Sequence, residues 1–236
     1  MMNELIFKTT VVFAIFIAVF ILHQLTLTVL VKRIHSRRHT RAVYTLLSFF
    51  GTVLHELSHA IMCVIFRHKI EKIVLFTLKD QKARGYVNHQ YNPRSMYQCL
   101  GCYMIATAPW LASLITVQLA FPNVIGYLPL EPFQTPYFFE LVTHSDLSML
   151  IPVSLIIFFC IPSRTDFVNA TKSSVIAFLT IAAAFLIGDF FQLTAAYLEI
   201  IEQMLRLSYF TISLYFGALL LMIGLASLTF VGGRIE

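Results

Sequence analysis

Charge is what this sequence has least of. Only 12% of its 236 residues are Asp, Glu, Lys or Arg, where a soluble domain carries about 25%. With 58% hydrophobic residues and a mean hydropathy of +0.78, that scarcity excludes a soluble domain and predicts an integral, multi-pass membrane protein. Nucleic-acid binding is not implied by the net charge of +5, because the Lys and Arg flank apolar runs, where basic residues anchor membrane segments. Cysteine is scarce too: Cys63, Cys99, Cys102 and Cys160 fall in or beside apolar segments and build no disulfide framework. Cys99 and Cys102 have C-x-x-C spacing, but a structural zinc needs two more ligands and a redox pair needs a βαβ setting. They are read as two small apolar residues on one helix face. No internal repeat or soluble domain is evident, so residues 1–236 form a single membrane domain.

The apolar runs lie at about 9–31, 42–66, 96–120, 147–161, 173–197 and 207–231. They predict an all-α polytopic fold of about six transmembrane helices. The first run exceeds the 7–15 or so residues of a signal-peptide core and has no small-residue cleavage site after it, so it is read as a retained span. His23 and Gln24 interrupt it as packing residues. Residues 32–41, with five Lys and Arg, form a membrane-edge anchor. Between helices 2 and 3, the β-branched and aromatic run Ile73–Leu78, the polar turn Lys79–Lys82 and Gly85–His89 predict a small β-hairpin at about 70–89. Pro109 interrupts the third run and frees a backbone carbonyl there. The loop at 121–146 has no Lys or Arg; assigning it to the outside, and counting basic residues on each side, puts both termini inside.

One stretch organises the rest. In Phe49–Phe66 the run holds His55-Glu56-Leu57-Ser58-His59, an H-E-x-x-H pattern. Residues four apart share a helix face, so His55 and His59 can bind one ion. Glu56, about 100° round the helix, can reach a water on that ion and act as general base. Three such groups are costly at membrane depth without partners, and a metal supplies the partner. Two imidazoles suit Zn²⁺, and a catalytic zinc takes a third protein ligand plus an open position.

No His or Glu follows at the short spacings of soluble zincins. Two carboxylates sit at membrane depth or edge, Asp166 and Asp189. Asp166 follows the Pro162-Ser163 break, where the backbone is free to aim a side chain inward, and it is the better-placed third ligand. Asp189, beside Gly188 in the middle of the fifth run, is the alternative.

In Phe50–Ala60, in the hairpin ending Gly85-Tyr86-Val87 and in Ala106-Thr107-Ala108-Pro109, the chain resembles the site-two protease family of intramembrane zinc metalloproteases. The likeness covers about 43–170, the expected catalytic core, flanked by helices at 9–31, 173–197 and 207–231. It implies that His55 and His59 are zinc ligands, that Glu56 is the base and that an Asp completes the site. In the family that Asp lies in a Leu-Asp-Gly motif preceded by Asn and Pro. Here Pro162-Ser163-Arg164-Thr165-Asp166-Phe167 stands instead, and its Pro-to-Asp spacing points to Asp166. No PDZ-like or CBS-like insertion is present, which makes this a minimal, divergent member. The activity implied is hydrolysis of peptide bonds in membrane-associated or single-span substrates, with Zn²⁺ as cofactor and the lipid bilayer as surroundings. A prokaryotic plasma membrane is the expected location. The alternatives are a non-proteolytic zinc-binding adaptor, which has no use for Glu56 beside a ligand, and a small transporter, for which paired halves are missing.

Overall fold

Where no water is at hand to take up backbone hydrogen bonds, an apolar segment satisfies them within itself, and these runs become helices. The structure, a computed structural model, describes residues 2–78, 85–122 and 147–231. Helix α1, Met2–Thr26, continues through a π-helical turn at Leu27–Val31 and a last turn at Lys32–Ile34. It is followed by α2, Arg38–Ile65; α3, Met96–Ala120; α4, Leu147–Cys160; α5, Arg164–Phe190; and α6, Thr194–Val231. In the chain between α2 and α3 lie β1, Lys69–Val74, and β2, Tyr86–Gln90, paired antiparallel. Among the described residues, α1, α2, α3, α5 and α6 are the five helices long and apolar enough to cross a membrane, and the chain is an integral membrane protein. α4 has 14 residues. It covers only about 21 Å at 1.5 Å per residue, short of a hydrocarbon core of about 30 Å.

Three expected boundaries move. The first strand, expected over Ile73–Leu78, forms instead at Lys69–Val74. The runs at 173–197 and 207–231 are redrawn as α5 from Arg164 and α6 from Thr194. Ser163 starts α5 early with a capping box: its hydroxyl accepts from the Asp166 N–H while its own N–H donates to the Asp166 carboxylate. The break falls at Phe191-Gln192-Leu193, where Gln192 is left-handed (φ 58°) and the Leu193 N–H donates to the Gly188 carbonyl, 2.7 Å. No break interrupts 197–207, because Glu199, Glu202, Gln203, Met204 and Arg206 are strong helix formers. The hairpin turn expected at 79–82 and the basic-free loop beyond Pro122 lie outside the described residues.

Packing places the site. The core joins Trp110, Leu114 and Val117 of α3, Val153, Ile157 and Phe158 of α4, and Tyr215, Ala218 and Met222 of α6. His23 is buried against Phe158 and Tyr215, and Gln24 donates to the Pro162 carbonyl across 3.5 Å, so both act in packing. α2 packs on α3 and α4, and α5 packs on α3. The approach of α2 to α4 is close at Gly51, where a Cβ would lie 2.6 Å from the Phe159 Cβ and 2.7 Å from the Ile156 carbonyl. That contact sets the C-terminal end of α4 beside the next turn of α2, the one bearing His55.

Candidate metal centre

His55 and His59 stand one turn apart on α2, both buried. Each ring is held by a backbone carbonyl at Nδ1: Cys160 for His55, at 3.3 Å, and Ile105 for His59, at 2.7 Å. Both carbonyls are free for a local reason. Cys160 ends α4, where the final carbonyls of a helix have no intrahelical donor. Ile105 lies four residues before Pro109, which has no N–H to give back. With Nδ1 turned to a carbonyl, the Nε2 of each ring faces the partner ring, and in the Nδ1–H tautomer it offers the lone pair that a metal requires.

The two Nε2 atoms are 3.1 Å apart. Asp166 closes the triangle from the first turn of α5, its Oδ2 3.4 Å from His55 Nε2 and its Oδ1 3.4 Å from His59 Nε2. Its aim is fixed by Ser163, whose hydroxyl and N–H donate to Oδ2 at 2.6 and 2.7 Å. Two Nε2 lone pairs at this distance repel unless a cation, a proton or a metal ion, lies between them. Ligand bonds of about 2.0–2.1 Å in a tetrahedron put ligand atoms about 3.3 Å apart, close to the three separations found. The donor set, two imidazoles and a carboxylate, also suits a zinc-type ion. The residues fit the group.

The other expected third ligand does not reach the site. Asp189 lies at the C-terminal end of α5, where its Oδ1 accepts from Thr194 Oγ at 3.1 Å. Twenty-three residues of helix put it about 34 Å from Asp166. Nor are Cys99 and Cys102 fully buried: both are half-buried free thiols on the first turns of α3, Cys99 donating to the Pro93 carbonyl at 3.3 Å.

His55, His59, Asp166 and Glu56 line one cavity of about 550 Å³. Glu56, 7% exposed, has no hydrogen-bonding partner among the described residues, and its carboxylate opens into that space. Gly85 presses on it: a Cβ there would stand 2.5 Å from Glu56 Cγ. The opposite wall is β2, through Tyr86, Val87, Asn88 and His89. Only one of its edges is paired with β1 among the described residues. Burial, with His68 and His59 nearby, pushes the His89 imidazole below its ordinary range, so it stands there as a neutral ring. Asn169 and Lys172 reach the same space from α5. They went unnoticed in the sequence, although three-residue steps from Asp166 place both on its helix face.

No protein-family model, curated protein or solved structure matches the chain.

Proposed function

We propose that the protein is an intramembrane zinc metalloprotease of the site-two protease type, hydrolysing peptide bonds of membrane-associated or single-span substrates. One observation carries the reading: two imidazoles and two carboxylates converge in a single cavity walled by β2, a strand paired on only one edge among the described residues. His55, His59 and Asp166 would hold Zn²⁺. Bound there, the ion would supply Lewis acidity that lowers the pKa of water to about 7.

This chain's residues do the rest. Glu56, next to a ligand but not one of the three, takes the proton from the attacking water and delivers it to the leaving amine. The Ile105 and Cys160 carbonyls hold the imidazoles in one tautomer throughout. A helical substrate hides its peptide bonds in its own hydrogen bonds and must unwind first. The edge of β2 that is unpaired among the described residues would offer the extended segment a row of backbone partners. A second cavity, about 530 Å³ and lined by Phe13 and Ile17 of α1 and Ala177 and Phe178 of α5, gives an apolar substrate span a place to approach from the bilayer.

The test is metal content of the full-length protein in detergent, alongside cleavage of single-span substrates in proteoliposomes. His59→Ala and Asp166→Ala should each hold one zinc fewer per chain than wild type, while Asp189→Ala matches it. Cleavage by wild type should stop on treatment with a zinc chelator and return with added Zn²⁺. Equal zinc in all four proteins overturns the ligand set. Zinc lost as expected, with no cleavage by wild type of any substrate tried, overturns the protease reading in favour of a zinc-binding membrane scaffold.

A further inference from the structure

α2 ends in a turn that folds the chain back on itself. Arg67 is left-handed, φ 56°, and behind it the His68 N–H donates to the Cys63 carbonyl at 2.8 Å. A bond of this reach sets residue 68 over residue 63, bringing an imidazole to a thiol five positions away. β2 delivers a third group: His89 Nδ1 lies 3.0 Å from His68 Nδ1. From the other side α3 comes close because position 101 is glycine, where a Cβ would lie 2.8 Å from His68 Nε2. There His68 Nε2–H donates to the Gln98 carbonyl at 2.9 Å, which leaves Nδ1 as the ring nitrogen that faces His89. Cys63 is fully buried and His68 5% exposed. Cys63 Sγ and a ring nitrogen of each histidine lie within 4.8 Å of one another.

We propose that Cys63, His68 and His89 form a second metal site, taking a zinc-type divalent ion and pinning β2 to the end of α2. A thiolate and two imidazoles select such an ion over Mg²⁺ or Ca²⁺, which take oxygen ligands. The Gln98 carbonyl does for His68 what Ile105 does for His59, fixing the tautomer from the far ring nitrogen. Binding displaces the Cys63 thiol proton to solvent. Three protein ligands leave one position of a tetrahedral ion to solvent, and with no carboxylate in the cluster to act as a base on a water there, the ion's part is to tie the elements together. Cys63 is one helical turn beyond His59, and His89 belongs to the strand that walls the cavity. The ion therefore fixes the gap between the zinc-bearing helix and the strand edge. None of this depends on the proteolytic reading.

Sulfur separates the two sites, because His55, His59 and Asp166 contain none. The full-length protein, loaded with Co²⁺ in detergent, should show a near-ultraviolet thiolate-to-cobalt charge-transfer band and bind two ions per chain. The His55→Ala/His59→Ala double variant should keep the band and lose one ion; that result stands whatever becomes of the protease assignment. Cys63→Ser should lose the band and one ion, and so should His89→Ala. A Cys99→Ser/Cys102→Ser variant should keep the band. Absence of the band from folded wild type overturns the site, a measurement that needs no variant to fold. A band that survives Cys63→Ser but vanishes with Cys99 and Cys102 overturns the ligand set.

Discussion

His59 Nδ1 donates, at 2.7 Å, to the Ile105 carbonyl, which Pro109 four residues later leaves without its helical donor. A proline in a span thereby acts on a histidine in a different helix. Pro109→Ala restores an N–H that competes for Ile105, loosening the His59 tautomer. Zinc affinity, read by competition with a chelator, should fall about 10–100-fold, the usual cost of losing a partner behind a ligand. Thermal stability should change little, because alanine's better helix propensity offsets the packing lost with the fully buried proline ring. Unchanged affinity would show that the ring is oriented by something other than this carbonyl.

Ser163 holds Asp166 in the same indirect way, with two donors on Oδ2. Ser163→Ala removes the hydroxyl and the α5 cap together. Stability in detergent should drop by about 1 kcal/mol, typical of a lost N-cap. Zinc affinity should drop about tenfold or more, as for other partners behind a ligand. A variant that loses the stability but keeps the affinity would make the capping box a helix device alone.

Much of the site was legible because membrane depth makes polar groups conspicuous: His55, Glu56 and His59 stood out in an apolar run, and Asp166 stood out after the Pro162-Ser163 break. Helices α2 and α3 followed from hydropathy for the same reason. The boundary of α5 and α6 did not, since apolar composition runs straight through it and the turn rests on backbone hydrogen bonds and one left-handed Gln192. Ile105 was invisible because it acts through its carbonyl, which every residue has. His68 and His89 carried no local signal either: they are 21 positions apart in the chain and meet only through the fold of the strands.

Gly85 sets where the glutamate stands. A methyl group there would meet Glu56 Cγ at 2.5 Å and the Leu75 carbonyl at 2.8 Å. The carbonyl is backbone and cannot swing aside, so in Gly85→Ala the strand or the Glu56 side chain must shift. A displacement approaching 1 Å at a reacting group costs about 100-fold in rate. Cleavage should fall on that order while zinc content stays at the wild-type level. Loss of zinc together with cleavage would mean that Gly85 supports the ligands rather than the base.

Glu56 is the sharpest case, because the proposal makes its neighbours on α2 ligands and Glu56 the base. The three ligand atoms approach one another without it, and its carboxylate opens into the cavity. Glu56→Gln keeps the volume and polarity but cannot take a proton from water. Cleavage should fall by about 10²–10⁴-fold, the span attributed to a positioned acid–base group. Zinc content should equal that of wild type, because His55, His59 and Asp166 are untouched. Comparing the two readouts in one preparation separates base from ligand. Zinc lost along with activity would make Glu56 a ligand, and cleavage retained with zinc in place would mean that another group accepts the proton, His89 on the β2 wall of the cavity being the candidate.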